Sequence, residues 1–333
     1  MVLGRTINLG TTLTYEPLDA KEIYITSEQF GETKFSIGDL DTNHWSRYAQ
    51  AAARVLPNIK RGMMAHVNGA LIGTGLSSSA SVGLAYVKAL ADVNDIELSN
   101  NDLVQLDYEL EHRELGLQNG ILDPLTIVYG IRDALLSMDT LTASVTPIFD
   151  SPLNDPVWIV AYSGTSRELT KSGFNIRVEE CREAARLLKG RAQILSDVSR
   201  KIFEEKKITL PENLRKRAEH FFSEVERVHL GAKAWAESNY EFFGQLMNQS
   251  CESSIQNYES GSDILIEMYE LVSDTNGVYG SRFSGGGYGG CVVALAKKGS
   301  VENACAEIAE RFSALHPELQ SRVFVAETGD GLR

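Results

Sequence analysis

The stretch that decides the fold is Gly73-Thr74-Gly75-Leu76-Ser77-Ser78-Ser79-Ala80-Ser81, in which a glycine-rich turn runs directly into a predicted helix over residues 80–93. The first turn of a helix carries N–H groups without intrahelical partners and the positive end of the helix dipole, so it favours a bound phosphate. Glycines let the backbone approach the anion, and serine hydroxyls can bind phosphate oxygens or Mg²⁺. A serine N-cap after a flexible turn is the alternative, and the pattern alone favours it; the rest of the chain favours the phosphate site.

Outward from this stretch, hydrophobic periodicity predicts an α+β protein whose second half is mainly helical. Strands are predicted over residues 2–15, 23–37 (two or three), 63–72, 135–140, 157–162, 280–283, 291–296 and 323–326. Helices are predicted over residues 45–56, 80–93, from Ser99 (with Asp102 at N3 spacing), 177–188, 214–237, 241–249, 263–273 and 301–315. The segment 150–156 holds two prolines and is the candidate domain boundary, which gives domains over 1–152 and 153–333.

Composition limits the classes of function. A length of 333 residues predicts two domains, and a net charge of −13 argues against a nucleic-acid or anionic membrane partner. The four cysteines show no metal-type spacing, which fits reduced thiols in a cytoplasmic protein. No apolar run reaches about 18 residues, and no signal peptide is evident, so no membrane partner is expected.

A second glycine cluster is Ser284-Gly285-Gly286-Gly287-Tyr288-Gly289-Gly290. Gly285, Gly287 and Gly290 satisfy the dinucleotide-binding pattern GxGxxG, but that pattern requires a following helix and a strand is predicted here instead. The pattern of an ordinary P-loop NTPase is also absent from the sequence. The cluster therefore predicts either a simple hairpin loop or a loop that wraps a phosphate or other ligand.

Two carboxylates are candidate site residues. Asp123 follows a glycine turn at the mouth of a predicted helix, where it is either a functional carboxylate or an N-cap before Pro124. Glu111 stands near the end of the preceding helix, where it opposes the helix dipole; it is either a metal ligand or a solvated surface residue. The histidines are scattered without ligand spacing, so zinc is not indicated.

Residues 73–81, 119–123 and 284–290 together resemble, in order and spacing, the second motif, the active-site aspartate and the third motif of the GHMP kinases. Within that family the chain resembles the galactokinase branch, because residues 172–177 with Cys181 are similar to that branch's sugar-side loop and helix. The chain resembles the galacturonokinase members of the family most closely in three stretches, 115–123, 217–224 and 277–285. The likeness covers almost the whole chain. It implies a ribosomal protein S5 domain 2-like N-terminal domain that binds ATP and a C-terminal domain built as a ferredoxin-like plait.

The resemblance implies a kinase that transfers phosphate from ATP to the anomeric hydroxyl of a sugar, with Mg²⁺ as the metal, in a monomer or homodimer. Asp123 would be the catalytic base, and Ser79 and Glu111 would bind the metal. The sugar pocket would be shaped by Asn119, Gly120 and Phe174. ATP would be held by the two glycine-containing motifs, through Gly73, Gly75, Leu76, Ser77, Ser78, Ser79, Ala80, Gly285, Gly286 and Gly287.

The sugar is expected to be D-galacturonate, with D-galactose as the alternative. Galactokinases usually carry tyrosine where Phe174 stands and cysteine where Asn119 stands, and both changes lean away from galactose. A lost hydrogen bond to a polar ligand typically shifts selectivity by about 1–3 kcal/mol. The candidate partners for the C6 carboxylate of a uronate are Arg167, Lys171 and Asn119.

The resemblance has one large departure. The family's first motif, of the type Arg-x-Asn-Leu-Ile-Gly-Glu-His-x-Asp, supplies a catalytic arginine and acidic sugar ligands, and the chain begins just past it. We expect either a truncation at an internal methionine or a natural variant; Arg5 does not match the motif position. A non-catalytic sugar or ATP sensor on the same fold is therefore an alternative, although the intact Ser77–Ser79, Glu111 and Asp123 favour the enzyme.

Overall fold

The computed structural model describes residues 1–69, 76–152, 156–165 and 173–333, except for the side chain of Phe174. It divides into two compact units. The N-terminal unit comprises mainly residues 2–148 together with Thr328–Arg333, and the C-terminal unit comprises mainly residues 149–327. The division near residue 148 lies close to the proline-containing segment of the sequence, and separate domains over 1–152 and 153–333 remain a prediction.

The N-terminal unit contains two sheets and a group of helices. One sheet has the order β2-β5-β3-β4, in which β3 and β5 are parallel, and the other has the order β1-β6-β7. The elements are β1 Val2–Gly4, β2 Thr11–Leu18, β3 Glu22–Ser27, β4 Gly31–Ser36, α1 Arg47–Val55, β5 Gly62–Gly69, α2 Ser78–Val93, α3 Asn100–Glu109, a π-helical segment Leu110–Glu114, α4 Leu122–Tyr129, β6 Ala134–Asp139 and β7 Ser144–Phe149.

The core of this unit follows from the periodicity of its strands and helices. Ile23 and Ile25 alternate with polar residues along β3 and are fully buried. The capping box predicted at the start of α3 is present, since the Ser99 side chain accepts from Asp102 N–H and the Asp102 carboxylate accepts from Ser99 N–H. The chain after β5 runs through residues 70–75, outside the described residues, and then enters α2 at Ser78.

Two strand predictions were incomplete. The strand predicted over residues 2–15 is interrupted between Gly4 and Thr11, and its two parts lie in different sheets. The strand β7 was missed because it contains Pro147, which has no N–H to donate to a ladder. It lies at the edge of its sheet, the place where a strand tolerates proline.

The C-terminal unit is an antiparallel sheet of order β11-β8-β10-β9 with helices packed against it. Backbones approach closely where α8 meets β9, since a Cβ added at Gly244 would lie 2.3 Å from the Tyr279 carbonyl oxygen. The elements are β8 Val157–Tyr162, α5 Phe174–Leu188, α6 Arg200–Lys206, α7 Glu212–Ala236, α8 Tyr240–Gln256, α9 Asp263–Asp274, β9 Val278–Phe283, β10 Cys291–Ala296, α10 Val301–Leu315 and β11 Arg322–Ala326, with short 3₁₀ turns at Leu195–Asp197, Lys207–Thr209 and Lys298–Ser300. The strand–loop–strand–helix–strand order predicted for the last part is confirmed.

Residues 328–333 pack with the N-terminal unit. The Thr6 hydroxyl donates to the Gly329 carbonyl at 2.5 Å, and the N–H groups of Gly331 and Leu332 donate to the carbonyls of Gly130 and Ile127. An isolated bridge joins Ile7 to Thr328. The tail therefore supplies hydrogen-bond partners to the loop before β2 and to the end of α4.

None of the helices in the described part of the chain is long and apolar enough to cross a membrane.

Candidate active site

The serine-rich segment begins α2. Ser77 occupies the N-cap position with a φ of 50°, and its side chain makes no capping hydrogen bond, so a purely structural serine cap does not account for the motif. Ser78, Ser79 and Ala80 form the first helical turn, where backbone N–H groups have no intrahelical acceptor. Gly73 and Gly75 lie outside the described residues.

Glu111 is buried, which rules out the solvated surface glutamate that the sequence left open. Its side chain lies in the π-helical segment after α3 and is only 4% exposed. The Asn119 amide donates to Glu111 Oε2 at 3.0 Å. The loop before α4 is therefore hydrogen-bonded to the π-helical segment, and two of the predicted site residues lie in direct contact.

Asp123 is not an N-cap. The N-cap of α4 is Ile121, and Asp123 is the second helical residue, inside the first turn. A carboxylate in this turn is stabilised by the positive end of the helix dipole. The N-cap alternative is therefore wrong.

Tyr48 of α1 joins this group, although the sequence analysis did not single it out. Burial raises the pKa of Tyr48, and so does the nearby charge of Glu111, while Arg47 and a hydrogen bond with Ser79 act in the opposite direction. The phenol is thus coupled electrostatically to both residues that were predicted to bind the metal. Its signal in the sequence was weak because an aromatic residue on a helix stripe normally indicates core packing.

Asp107 is a second residue that the sequence analysis missed. It is 0% exposed, and among the described residues neither of its carboxyl oxygens has a hydrogen-bond partner. Burial raises its pKa well above the ordinary value, and the charges of Glu111 and Asp123 raise it further. A Cβ added at Gly83 of α2 would lie 2.6 Å from Asp107 Oδ1, so the carboxyl packs directly against that helix. Asp107, Glu111 and Asp123 therefore form one electrostatically coupled group of carboxyls in the N-terminal unit.

The second glycine cluster lies in the C-terminal unit and joins β9 to β10, which are antiparallel neighbours. It is thus a hairpin loop by topology. Its backbone is held in the middle by the Ser262 N–H, which donates to the Gly287 carbonyl at 2.9 Å, and at its end by the Gly290 N–H, which donates to the Thr165 carbonyl at 3.1 Å. Positive φ angles at Gly285, Gly287, Gly289 and Gly290 explain why glycine is needed there.

The remaining predicted sugar-side residues are placed only in part. Phe174 begins α5, but its side chain lies outside the described part of the structure, as do Arg167 and Lys171. Gly120 is exposed in the loop before α4, next to Asn119. The structure therefore brings together Ser79, Glu111, Asn119 and, electrostatically, Asp123, all within the N-terminal unit.

Family models match both units. The model for the GHMP kinases N terminal domain matches residues 47–131, and the model for the GHMP kinases C terminal domain matches residues 232–314. The first match contains α2, the π-helical segment and the start of α4, and the second contains the glycine hairpin.

Curated relatives cover nearly all of the chain. The chain is 34% identical to galacturonokinase of Arabidopsis thaliana, in an alignment that covers 100% of this chain and 88% of that protein. It is 32% identical to galactokinase of Clostridium perfringens strain SM101, over 91% of this chain and 81% of that protein.

Solved structures agree with the sequence comparisons. The structure of Lactococcus lactis galactokinase complexed with galactose superimposes with a TM-score of 0.92 at 28% identity, covering 99% of this chain and 88% of that one. A mevalonate kinase structure superimposes with a TM-score of 0.64 at 18% identity, which is evidence for the fold alone. The chain belongs to the GHMP kinase family.

Proposed function

We propose that this chain is an ATP-dependent sugar 1-kinase whose preferred acceptor is D-galacturonate. The observation that carries the proposal is the group of buried and helix-terminal carboxylates in the N-terminal unit, with Glu111 bonded to Asn119 and Asp123 in the first turn of α4. The similarity to a galacturonokinase over the full chain supports the choice of sugar, and the galactokinases among the relatives support the reaction.

Nucleotide binding is assigned to the start of α2 and to the glycine hairpin. Backbone N–H groups of residues 77–80, the adjoining Gly73 and Gly75, and the backbone of Gly285–Gly287 would hold the phosphates. Amide N–H groups suit this role in a chain with a net charge of −13, because they supply positive potential locally.

The donor set fits magnesium. A serine hydroxyl from Ser79 and a carboxylate from Glu111 are the hard oxygen ligands that Mg²⁺ takes, usually together with nucleotide phosphates and water. Among the described residues, no three histidine, cysteine, aspartate or glutamate side chains come together as a metal site. When bound, Mg²⁺ would neutralise charge on the transferring phosphoryl group.

Asp123 is assigned as the group that orients the sugar C1 hydroxyl and accepts its proton. Its carboxylate lies in the first turn of α4, where the positive end of the helix dipole attracts negative charge. Asn119 gives one amide hydrogen to Glu111, which leaves its second N–H and its carbonyl oxygen for the sugar. Gly120 in the N-terminal unit and Phe174 in the C-terminal unit are each assigned a sugar contact, and Arg167 or Lys171 remain the candidate cations for a substrate carboxylate.

The first experiment compares kcat/KM for D-galacturonate and D-galactose at saturating ATP and Mg²⁺. We expect the higher value for D-galacturonate. A higher value for D-galactose would favour the galactokinase alternative, and nucleotide binding by calorimetry without turnover of either sugar would favour the sensor.

The second experiment replaces Asp123 by asparagine. We expect calorimetric binding of a non-hydrolysable ATP analogue to be kept while kcat falls by about 10²–10⁴, the usual contribution of a general base. Asp102→Asn is the matched control, because Asp102 also lies in a helix first turn of the same unit but on the surface. A variant that kept more than about a tenth of the wild-type kcat would contradict the role of Asp123 as base.

A further inference from the structure

A buried arginine in the C-terminal unit has no part in the function assigned so far. Arg217 of α7 is 1% exposed, and each of its three guanidinium nitrogens donates a hydrogen bond to an acceptor outside α7. It donates from Nε to Glu180 Oε2 at 2.6 Å, from Nη1 to the Asn257 carbonyl at 2.7 Å and from Nη2 to Glu259 Oε2 at 2.7 Å. A buried guanidinium is tolerated when its charge and its N–H groups are satisfied in this way.

The hydrogen bond from Nε of Arg217 reaches α5, the helix that begins with Phe174. Glu180 also accepts from Arg177 Nη1 at 3.0 Å, so two arginines share this carboxylate. Burial acts to raise the pKa of Glu180, but the hydrogen bonds from Arg217 and Asn213 and the charges of Arg217 and Arg177 together lower it below the ordinary value. Glu180 is therefore a carboxylate that holds α5 against α7.

The hydrogen bonds from Nη1 and Nη2 of Arg217 reach the turn that follows α8. That turn contacts the glycine hairpin. Glu259 adopts a left-handed φ of 50°, and two residues later Gly261 has a φ of 111°. A Cβ added at Gly287 would lie 3.2 Å from the Gly261 nitrogen, and the Ser262 N–H donates to the Gly287 carbonyl at 2.9 Å. The turn thus fixes the middle of the hairpin by backbone contacts.

Hairpin and helix also touch directly. A Cβ added at Gly173, the N-cap of α5, would lie 3.5 Å from the Tyr288 hydroxyl. Burial raises the pKa of Tyr288, and the guanidinium groups of Arg177 and Arg217 counter part of that rise. The arginines are therefore close enough to act on the hairpin as well as on the helix.

We propose that Arg217 is a positioning residue for substrate binding. Through Glu180 and Glu259 it fixes the hairpin 284–290 relative to the first turn of α5. These are the two segments of this unit to which ligand contacts have been assigned. Its effect on kinetics rests on the proposed function, whereas its effect on the hairpin does not.

The test uses Glu259→Gln, because Glu259 is 41% exposed and its removal spares the buried arginine's other bonds. Glu204→Gln is the matched control: the Glu204 side chain is also 41% exposed and pairs with two cations, Arg200 and Lys207, far from the hairpin along the sequence. Glu259 pairs with three, since Lys216 and Arg177 contact it in addition to Arg217. We expect Glu259→Gln to raise KM for the sugar or ATP about fivefold, the upper range for a half-exposed ion pair, with kcat changed less than about twofold. Loss of kcat at unchanged KM would indicate only a smaller folded fraction and would overturn the proposal.

Arg217→Lys is the stronger variant, since lysine keeps the charge but cannot bridge two carboxylates in the same fork geometry. We expect a KM increase of roughly ten- to a hundredfold if it folds, because a buried pair is disrupted. Hydrogen–deuterium exchange gives the readout that needs no activity. Amides of residues 285–290 should exchange about three to five times faster in Glu259→Gln than in wild type. In Glu204→Gln they should exchange at the wild-type rate.

The exchange result separates the two proposals. A wild-type chain without kinase activity but with faster hairpin exchange in Glu259→Gln would refute the proposed function and support the positioning role. Equal exchange in Glu259→Gln and Glu204→Gln would refute the positioning role even in a fully active enzyme.

Discussion

Replacing His220 by glutamine should reduce the amount of stability that the C-terminal unit loses as the pH falls into the weakly acidic range. His220 lies on α7 one turn after Arg217, its Nδ1 is 3.0 Å from Ser253 Oγ, and its ring lies 4.8 Å from that of Tyr258. Burial lowers the pKa of His220 from 6.5 to about 4; Arg282 and Arg227 act in the same direction, and the charge of Glu224 opposes them. The native chain therefore holds this histidine neutral.

The sign and size follow from proton linkage. Between pH 6.5 and about 4 the unfolded chain carries a proton on this histidine that the folded chain lacks, so stability is complete above pH 6.5 and is lost as the pH falls. At about 1.4 kcal/mol per unit of pKa difference, the total loss is about 3 kcal/mol by pH 4. Glutamine can keep a hydrogen bond to Ser253 and does not titrate, so this loss should be absent from the variant.

The assay is urea unfolding at several pH values from 4.5 to 7.5, followed by tryptophan fluorescence. A Trp45→Phe background leaves Trp158 and Trp235, which stack in the C-terminal unit at 5.9 Å, as the reporters. His316→Gln is the control of opposite sign, because hydrogen bonding to Glu267 raises the pKa of His316. Parallel stability curves for wild type and His220→Gln across this range would refute the reasoning.

Three further variants test the packing, each by thermal unfolding followed with circular dichroism. Asp107→Asn should stabilise the N-terminal unit by about 1–3 kcal/mol at neutral pH, since it removes a buried carboxyl that has no hydrogen-bond partner among the described residues. The pKa of Asp107 is raised in the folded chain, so this gain should shrink as the pH falls towards the pKa of the unfolded chain. An equal or lower melting temperature would contradict this. Gly244→Ala should destabilise by about 1–3 kcal/mol or more, because its Cβ would meet the Tyr279 carbonyl at 2.3 Å, and a neutral result would show that α8 can shift. Ser99→Ala should cost about 0.5–2 kcal/mol through loss of the capping box, and no change would mean that the cap is replaced by water.

Local signals predicted most helices and most strands, although the short helix α6, Arg200–Lys206, was missed. The helix over 301–315 has the predicted bounds, and α3 begins at the predicted capping box, because both depend on periodicity and capping within a few residues. The break between β1 and β2 could not be predicted, since it depends on pairing with β6 and β5, distant in sequence.

The site residues named from the sequence stay a prediction, and the burial of the carboxyls around them could not be predicted from the sequence. Charged residues are normally exposed, so the burial of Glu111 and Asp107 contradicts the usual pattern and depends on tertiary packing. A signal for Asp107 was nevertheless present, because it lies four residues after Leu103 and three before Leu110, on the apolar stripe of α3. Gly83 in the middle of α2 was the complementary signal, a position where a neighbouring group approaches the helix backbone closely.

The tail at residues 328–333 has a consequence for how the protein is made. Thr6 is hydrogen-bonded to Gly329, 323 residues later, so the N-terminal unit is completed by residues synthesised after the whole C-terminal unit. At about 5–20 residues per second, residues 149–327 take roughly 10–40 s to translate. During that time the emerging N-terminal unit would lack the acceptor for Thr6 and the donors for the carbonyls of Ile127 and Gly130. Its last folding step must therefore wait for the ribosome to finish the other unit.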